Sequence, residues 1–304
     1  MSKKILIIKI GATGDVVRTT VLLHLFANDH ITWITAKHNI SILPFNRTNL
    51  QKVIAMEDID QSGIFNGSFD LVISLDDDLK YASLASKIKT KDLFGAYVSE
   101  GKVVYTNDSQ EWFDMGLSSR FGKIKADEIK WQNTSSYQEI LFRMLGAKFS
   151  GEECLIREDV YSKGKPNVIG IEDRAGARWP TKMWNQYSQL AEHLKNDGYE
   201  IVFFTEREDI KDYLQDIGNT SLIISGDTLG MHIALALKIP IVTLFTCTSA
   251  VEIYDYGRME KIVSPQLKSA FYKTEYIPEA VESISLNDVL KGISRFKKIT
   301  FSFG

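Results

Sequence analysis

Hydrophobic and polar positions alternate along this chain in two series of short apolar runs and amphipathic stretches. In the first series Ile5 to Ile10 is an apolar run, the pattern of a strand buried on both faces. Gly11 to Gly14 turns the chain, and Asp15 stands where a helix should begin. From Val16 to Phe26 the spacing is helical, with Val17, Val21, Leu22 and Leu25 on one side. Ile31 to Thr35 predicts a second strand and Val53 to Ala55 a short third. A fourth, Leu71 to Leu75, ends in Asp76, Asp77 and Asp78 before a helix over Tyr81 to Ile88. Strand and helix in alternation imply parallel βαβ units.

The stretch from Leu93 to Phe149 is less regular, with a hairpin at Gly101 to Tyr105, an aromatic helix over Glu111 to Leu117 and a helix over Ser136 to Leu145. Arg157 to Asn167, polar and carrying Gly164 and Pro166, reads as a linker. The alternation then resumes. Strands are predicted at Val168 to Ile171, Ile201 to Phe204, Leu222 to Ile224 and Ile241 to Phe245. Helices are predicted at Thr181 to Lys195, with Gly198 just past its end, Asp209 to Gln215, Leu229 to Leu237 and Leu286 to Phe296. The fold class is α/β: two Rossmann-like domains, 1–157 and 166–304, with mainly parallel sheets facing a central cleft. The last helix, about 286–298, is free in this reading to pack back on the first domain.

Composition narrows the classes. The 304 residues suffice for two domains with separate cores, and 44% hydrophobic with 25% charged residues is a globular balance. A formal charge of -3 argues against nucleic acid as a partner. Cys154 and Cys247 stand apart, as free thiols of a reducing compartment, and the histidines at 24, 30, 38, 193 and 232 form no metal-binding pair. No signal peptide is read at the start, and no apolar run nears the roughly 20 residues of a membrane span. A cytoplasmic location is expected, with peripheral contact at the cytoplasmic membrane face left open.

Four segments carry candidate chemistry. Gly11-Ala-Thr-Gly14-Asp15 lies between the first strand and the first helix, but lacks both the Gly-Lys-Ser/Thr of a P-loop and the GxGxxG spacing. The second strand runs into Ala36-Lys37-His38 and no ribose-binding acid, which disfavours a dinucleotide oxidoreductase. Asp15 is either a helix cap or a functional group. Asp227-Thr228-Leu229-Gly230-Met231-His232 repeats the geometry in the second half, where helix N–H groups could hold a pyrophosphate or the aspartate could simply cap. Arg174 to Lys182 concentrates Arg174, Arg178 and Lys182 in a loop after a strand, suited to a departing diphosphate or to solvent. Asp76 to Asp78 permits a divalent metal, but capping is the commoner role of acids placed there.

Together these segments resemble glycosyltransferase family 9, the bacterial heptosyltransferases. The resemblance rests on Lys4 to Thr20 with its Gly-Asp turn, on Arg178-Trp179-Pro180 followed by Trp184, on Asp227 to Ala236 with Pro240, and on Tyr256-Gly257. It departs at three places. Leu229 and Gly230 stand exchanged, Ala177 replaces a basic residue, and the turn from Thr246 to Ala250 matches only at Thr248.

The resemblance implies a GT-B architecture and an inverting, metal-independent glycosyltransferase that moves a heptose from ADP-heptose to an acceptor hydroxyl of a bacterial glycoconjugate, as in lipopolysaccharide biosynthesis. No cofactor is implied beyond the nucleotide sugar as co-substrate. Asp15 would be the base, with Gly14, Arg18 and Asp76 on the acceptor side. Arg174, Arg178, Lys182, Glu206, Asp227, Thr228, Leu229, Gly230, His232 and Thr248 would hold the donor. The acceptor is open among glycan, glycolipid, protein and small molecule. Lys123, Lys125 and Lys130, and near the end Lys291, Arg295, Lys297 and Lys298, suit either a phosphorylated glycolipid or solvent. A GT-B nucleotide-sugar epimerase and a non-catalytic binding subunit are the alternatives.

Overall fold

The runs marked as doubly buried become strands whose side chains leave water: Ile5, Leu6, Ile7 and Ile8 are all 0% exposed in the computed structural model. The structure describes residues 2–116, 119–160 and 164–300, and side chains as far as Phe296. The chain divides into two units, residues 1–158 and 159–304.

The first unit holds a six-stranded sheet of β1 (Lys4–Ile8), β2 (His30–Thr35), β3 (Leu50–Ala55), β4 (Phe69–Ser74), β5 (Thr90–Ser99) and β6 (Lys102–Tyr105). The order is β3-β2-β1-β4-β5-β6, parallel except for the β5–β6 hairpin. The predicted hairpin forms because Glu100 and Gly101, at φ 51 and 76, supply the left-handed pair that a two-residue turn requires. Helices α1 (Thr13–Thr19), α2 (Leu22–Leu25), α3 (Leu79–Lys87), α4 (Gln110–Phe113), α5 (Gly122–Gln132) and α6 (Tyr137–Met144) complete the unit. A capping box between Ser136 and Glu139 starts α6.

The single helix expected over Val16 to Phe26 is two. The Thr19 and Thr20 hydroxyls bond back to the carbonyls of Asp15 and Val17, each at 2.6 Å, and Leu155 N donates to Thr20 Oγ1 at 2.7 Å. These bonds stop the helix at Thr19. Gly14 belongs to α1 and not to the turn; Ala12, at φ 40, makes the left-handed step before it. Helix α4 is shorter than the aromatic stretch predicted, and Leu117 lies outside the described residues. Helix α5 carries no readable periodicity because Ala126 is its one buried residue. Lys123 pairs with Asp127 and Lys125 with Glu128 along it, so two of the lysines read as a basic stretch are neutralised within the helix.

The second unit is a five-stranded parallel sheet of β7 (Val168–Glu172), β8 (Glu200–Phe203), β9 (Leu222–Gly226), β10 (Ile241–Phe245) and β11 (Met259–Val263), ordered β11-β10-β9-β7-β8. Its helices are α7 (Tyr187–Asn196), α8 (Ile210–Gly218), α9 (Leu229–Ala236), α10 (Leu267–Ala270), α11 (Pro278–Glu282) and α12 (Leu286–Thr300). The helix expected from Thr181 to Lys195 begins only at Tyr187. Thr181 is held by Glu275 O and Ile277 N, at 3.1 and 3.0 Å, in a 3-10 turn of Pro180–Lys182, and Met183 is extended. Val289 and Ile293 of α12 are buried in the core of this unit with Val242 and Leu244. Arg295 pairs with Glu260, while the side chains of Lys297 and Lys298 lie outside the described residues. The expected linker falls partly on 161–163, also outside them. The chain that follows is held to this unit, Lys165 N donating to Asn219 O at 3.0 Å.

Candidate active site

In each sheet the strand order reverses beside the strand that comes first in sequence. β1 lies between β2 and β4, and β7 between β8 and β9. Loops leaving two such neighbours diverge and open a crevice at the C-terminal ends of the strands. Both predicted acidic turns and the basic loop leave strands at these points.

At the first switch point Asp15, in the first turn of α1, is ion-paired with Arg18 Nη2 at 2.8 Å and lies 3.9 Å from Lys9 Nζ. Lys9 itself is 5% exposed and binds Asp76 Oδ1 at 2.6 Å, while the other Asp76 oxygen accepts from Ile10 N. Burial works against the Lys9 charge, but Asp76, Asp15 and Tyr137 outweigh it and hold the ammonium above its ordinary pKa. The Arg18 guanidinium lies 4.0 Å from the Tyr137 ring centroid. The Tyr137 hydroxyl meets Thr19 Oγ1 at 2.6 Å, and burial pushes its pKa up.

The three acids after β4 take separate tasks. Asp76 serves Lys9, Asp77 accepts from the Tyr105 hydroxyl at 3.3 Å, and Asp78 caps α3 through Lys80 N. Burial raises the Asp77 pKa. Capping, one of the readings open for this run, is thus the role of Asp78.

At the second switch point Lys182 Nζ donates to Asp227 O at 2.6 Å and to Asp227 Oδ2 at 3.0 Å, with both side chains 14% exposed. His232 Nε2 is 3.9 Å from the other Asp227 oxygen. Burial raises the Asp227 pKa, but Lys182, His232 and the Thr248 hydroxyl overcome it and hold the carboxyl at about 2. Thr228 opens α9 and its hydroxyl meets Ser225 Oγ at 2.9 Å. Leu229 is partly exposed and Gly230 buried.

The predicted donor cations do not stand alike. Arg174 is spanned by Glu172, with Nε and Nη2 each at 2.8 Å from a carboxylate oxygen. Arg178 is exposed, its guanidinium 5.3 Å from the Trp179 ring centroid, and Glu206 is exposed in the loop after β8. The structure therefore gathers Lys182, His232 and Thr248 around the Asp227 carboxylate.

Glu172 was not among the predicted residues, nor were Lys9, Tyr137 and Tyr213. Glu172 also accepts from the Tyr213 hydroxyl at 2.5 Å and from Arg174 N at 3.1 Å. A signal was present for two of these: Lys9 and Glu172 are lone charges inside or closing an apolar run, and a charge in a buried strand must find a partner. The Leu229-Gly230 exchange has a steric cause. A Cβ at position 230 would lie 2.7 Å from the Tyr213 hydroxyl and 3.5 Å from Glu172 Cγ.

The model of glycosyltransferase family 9 (heptosyltransferase) matches residues 209–277, the stretch that holds α8, β9 and α9. No curated protein matches the chain in sequence. Among solved structures, a family 9 glycosyl transferase from Veillonella parvula is 18% identical with a TM-score of 0.68, covering 96% of each chain. The E. coli heptosyltransferase WaaC, solved with ADP-2-deoxy-2-fluoro heptose, is 14% identical with a TM-score of 0.62, over 96% of this chain and 99% of that one. E. coli ADP-heptose lps heptosyltransferase II is 15% identical with a TM-score of 0.62, over 98% of this chain and 99% of that one. At these identities the structures establish the fold, the GT-B arrangement of two mainly parallel sheets. The family match takes in Asp227, His232 and Thr248, so this stretch is similar to the glycosyltransferases of family 9, and the chain shares the fold of these structures along nearly its whole length.

Proposed function

We propose that the protein transfers a heptose from ADP-heptose to an acceptor hydroxyl of a bacterial glycoconjugate in the cytoplasm, with inversion at the anomeric carbon and without a metal. The observation that supports this best is the entrance of α9. Lys182, His232 and Thr248 hold Asp227 ionised there, inside the family match, at a helix start whose first N–H groups have no partner within the helix. Those amides, with the exposed Arg178, would meet the charge of the leaving diphosphate. Two of the similar structures carry ADP-heptose or its analogue in their names, which favours this donor over others.

Asp15 takes the acceptor proton in this scheme. Arg18 and Lys9 set positive charge beside its carboxylate, which suits the ionised form that accepts a proton. Proton transfer is then late, completed as the new glycosidic bond forms and the donor bond breaks. The acceptor is a glycan, glycolipid, protein or small molecule. Among the described residues no helix is long and apolar enough to cross a membrane.

Thermal denaturation against a panel of nucleotides and nucleotide sugars tests the donor. A ligand that binds the folded state raises the melting temperature with its affinity. Stabilisation by ADP and ADP-heptose above UDP and GDP forms is expected. Preference for another nucleotide would discard heptose, release of sugar or an isomer without acceptor would favour an epimerase, and no response to any of them would leave a non-catalytic subunit.

A further inference from the structure

One buried ammonium serves two carboxylates in the first unit. Lys9 Nζ is 2.6 Å from Asp76 Oδ1 and 3.9 Å from Asp15 Oδ2, and its side chain is 6% exposed. The other Asp15 oxygen already carries Arg18 at 2.8 Å. With a full cation on each oxygen Asp15 would hold a proton too weakly to serve as a base. The position of Lys9, drawn toward Asp76, removes part of that burden.

We propose that Asp76, acting through Lys9, sets the proton affinity of Asp15, and that both are positioning residues for the transfer reaction. The inference rests on the reading of Asp15 as the base. The groups of this charge cluster come from four elements. Lys9 follows β1, Asp76 and Asp77 follow β4, Arg18 lies on α1 and Tyr137 on α6. Tyr137, kept protonated by burial, adds no charge. Asp77 is drawn off by Tyr105. Among these groups two cations, Lys9 and Arg18, and one compensating anion, Asp76, bear on Asp15. Removing the anion exposes Asp15 to the whole Lys9 charge and lowers its proton affinity. Removing the cation raises it.

The test is a carbon-13 NMR titration of the aspartate carboxyls in the full chain, with Asp15→Asn to assign the resonance. Lys9→Met is expected to raise the Asp15 midpoint by about one pH unit, and Asp76→Asn to lower it. Lys9→Met/Asp76→Asn removes both charges, leaves no buried charge without a counter-charge at this pair and should return the midpoint close to wild type. If Lys9→Met fails to fold, the other two variants still decide. A midpoint unmoved by Asp76→Asn, or shifted in the same direction by it and by Lys9→Met, would overturn the inference. The titration needs neither donor nor acceptor. Sugar transfer that survives Asp15→Asn would sink the base assignment alone.

Discussion

Two guanidinium donors of Arg174, Nε and Nη2, each lie 2.8 Å from an oxygen of Glu172, whose side chain is 4% exposed at the end of β7. Tyr213 completes the arrangement, its hydroxyl 2.5 Å from one of those oxygens. A cation placed by the chain in a diphosphate-binding loop is thus already matched by a buried acid. Arg174 shapes the loop, and the free charge of that loop is carried by the exposed Arg178.

Glu172→Gln therefore has two opposite effects. Losing the charged partner of Arg174 and Tyr213 should cost about 1–2 kcal/mol of stability in urea denaturation, moderated because Arg174 is partly exposed. At the same time the loop gains net positive charge, so ADP binding by calorimetry should tighten a few-fold at low salt. Weaker ADP binding in this variant would mean that Glu172 contributes to the donor site directly.

Gly230→Ala places a methyl group 2.7 Å from the Tyr213 hydroxyl. The expected destabilisation is about 1–3 kcal/mol, because α8 and α9 must shift to admit it. Adding Tyr213→Phe removes the clashing oxygen, so the double variant should lose less than the sum of the single ones. Strict additivity would show that the methyl is accommodated elsewhere.

The Asp227 carboxyl is held at about 2, down from 3.8, so its folded-state pKa is depressed. Its stabilising effect is then fully present above about pH 4 and lost as pH falls through about 2, an effect on the order of 2 kcal/mol. Stability curves for wild type and Asp227→Asn should converge across that window. Lys182→Met, which strands the buried carboxylate, should cost on the order of 3 kcal/mol at neutral pH. A small loss would show that solvent or His232 takes over the pairing.

Asp15→Ala should abolish sugar transfer from ADP-heptose while leaving the thermal shift given by ADP nearly intact, since the two sites lie on different units. Activity within a few-fold of wild type would reject Asp15 as the base.

Much of the fold could be read from local pattern. Ile5 to Ile10, Leu71 to Leu75, Leu222 to Ile224 and Ile241 to Phe245 are apolar enough to demand burial on both faces, and each supplies a strand with parallel neighbours on both sides. Elements without that pattern escaped notice. β5 opens with Thr90-Lys91-Asp92, β11 reads Met-Glu-Lys-Ile-Val, and α5 buries one alanine. Periodicity reports burial, and these elements bury little at the positions that would reveal it.

The composition of each turn was also legible, because an acid or a basic cluster after a buried strand falls where parallel sheets expose their loops. Partnership was not. Lys9 finds Asp76, Lys182 finds Asp227 and Glu172 finds Tyr213 across 67, 45 and 41 positions. Sequence alone determined that the chain alternates strand and helix, that its strands are buried, and that charged turns follow them. The order of strands in each sheet decided which charges meet, because electrostatic pairing depends on distances of a few ångströms that only the folded topology sets.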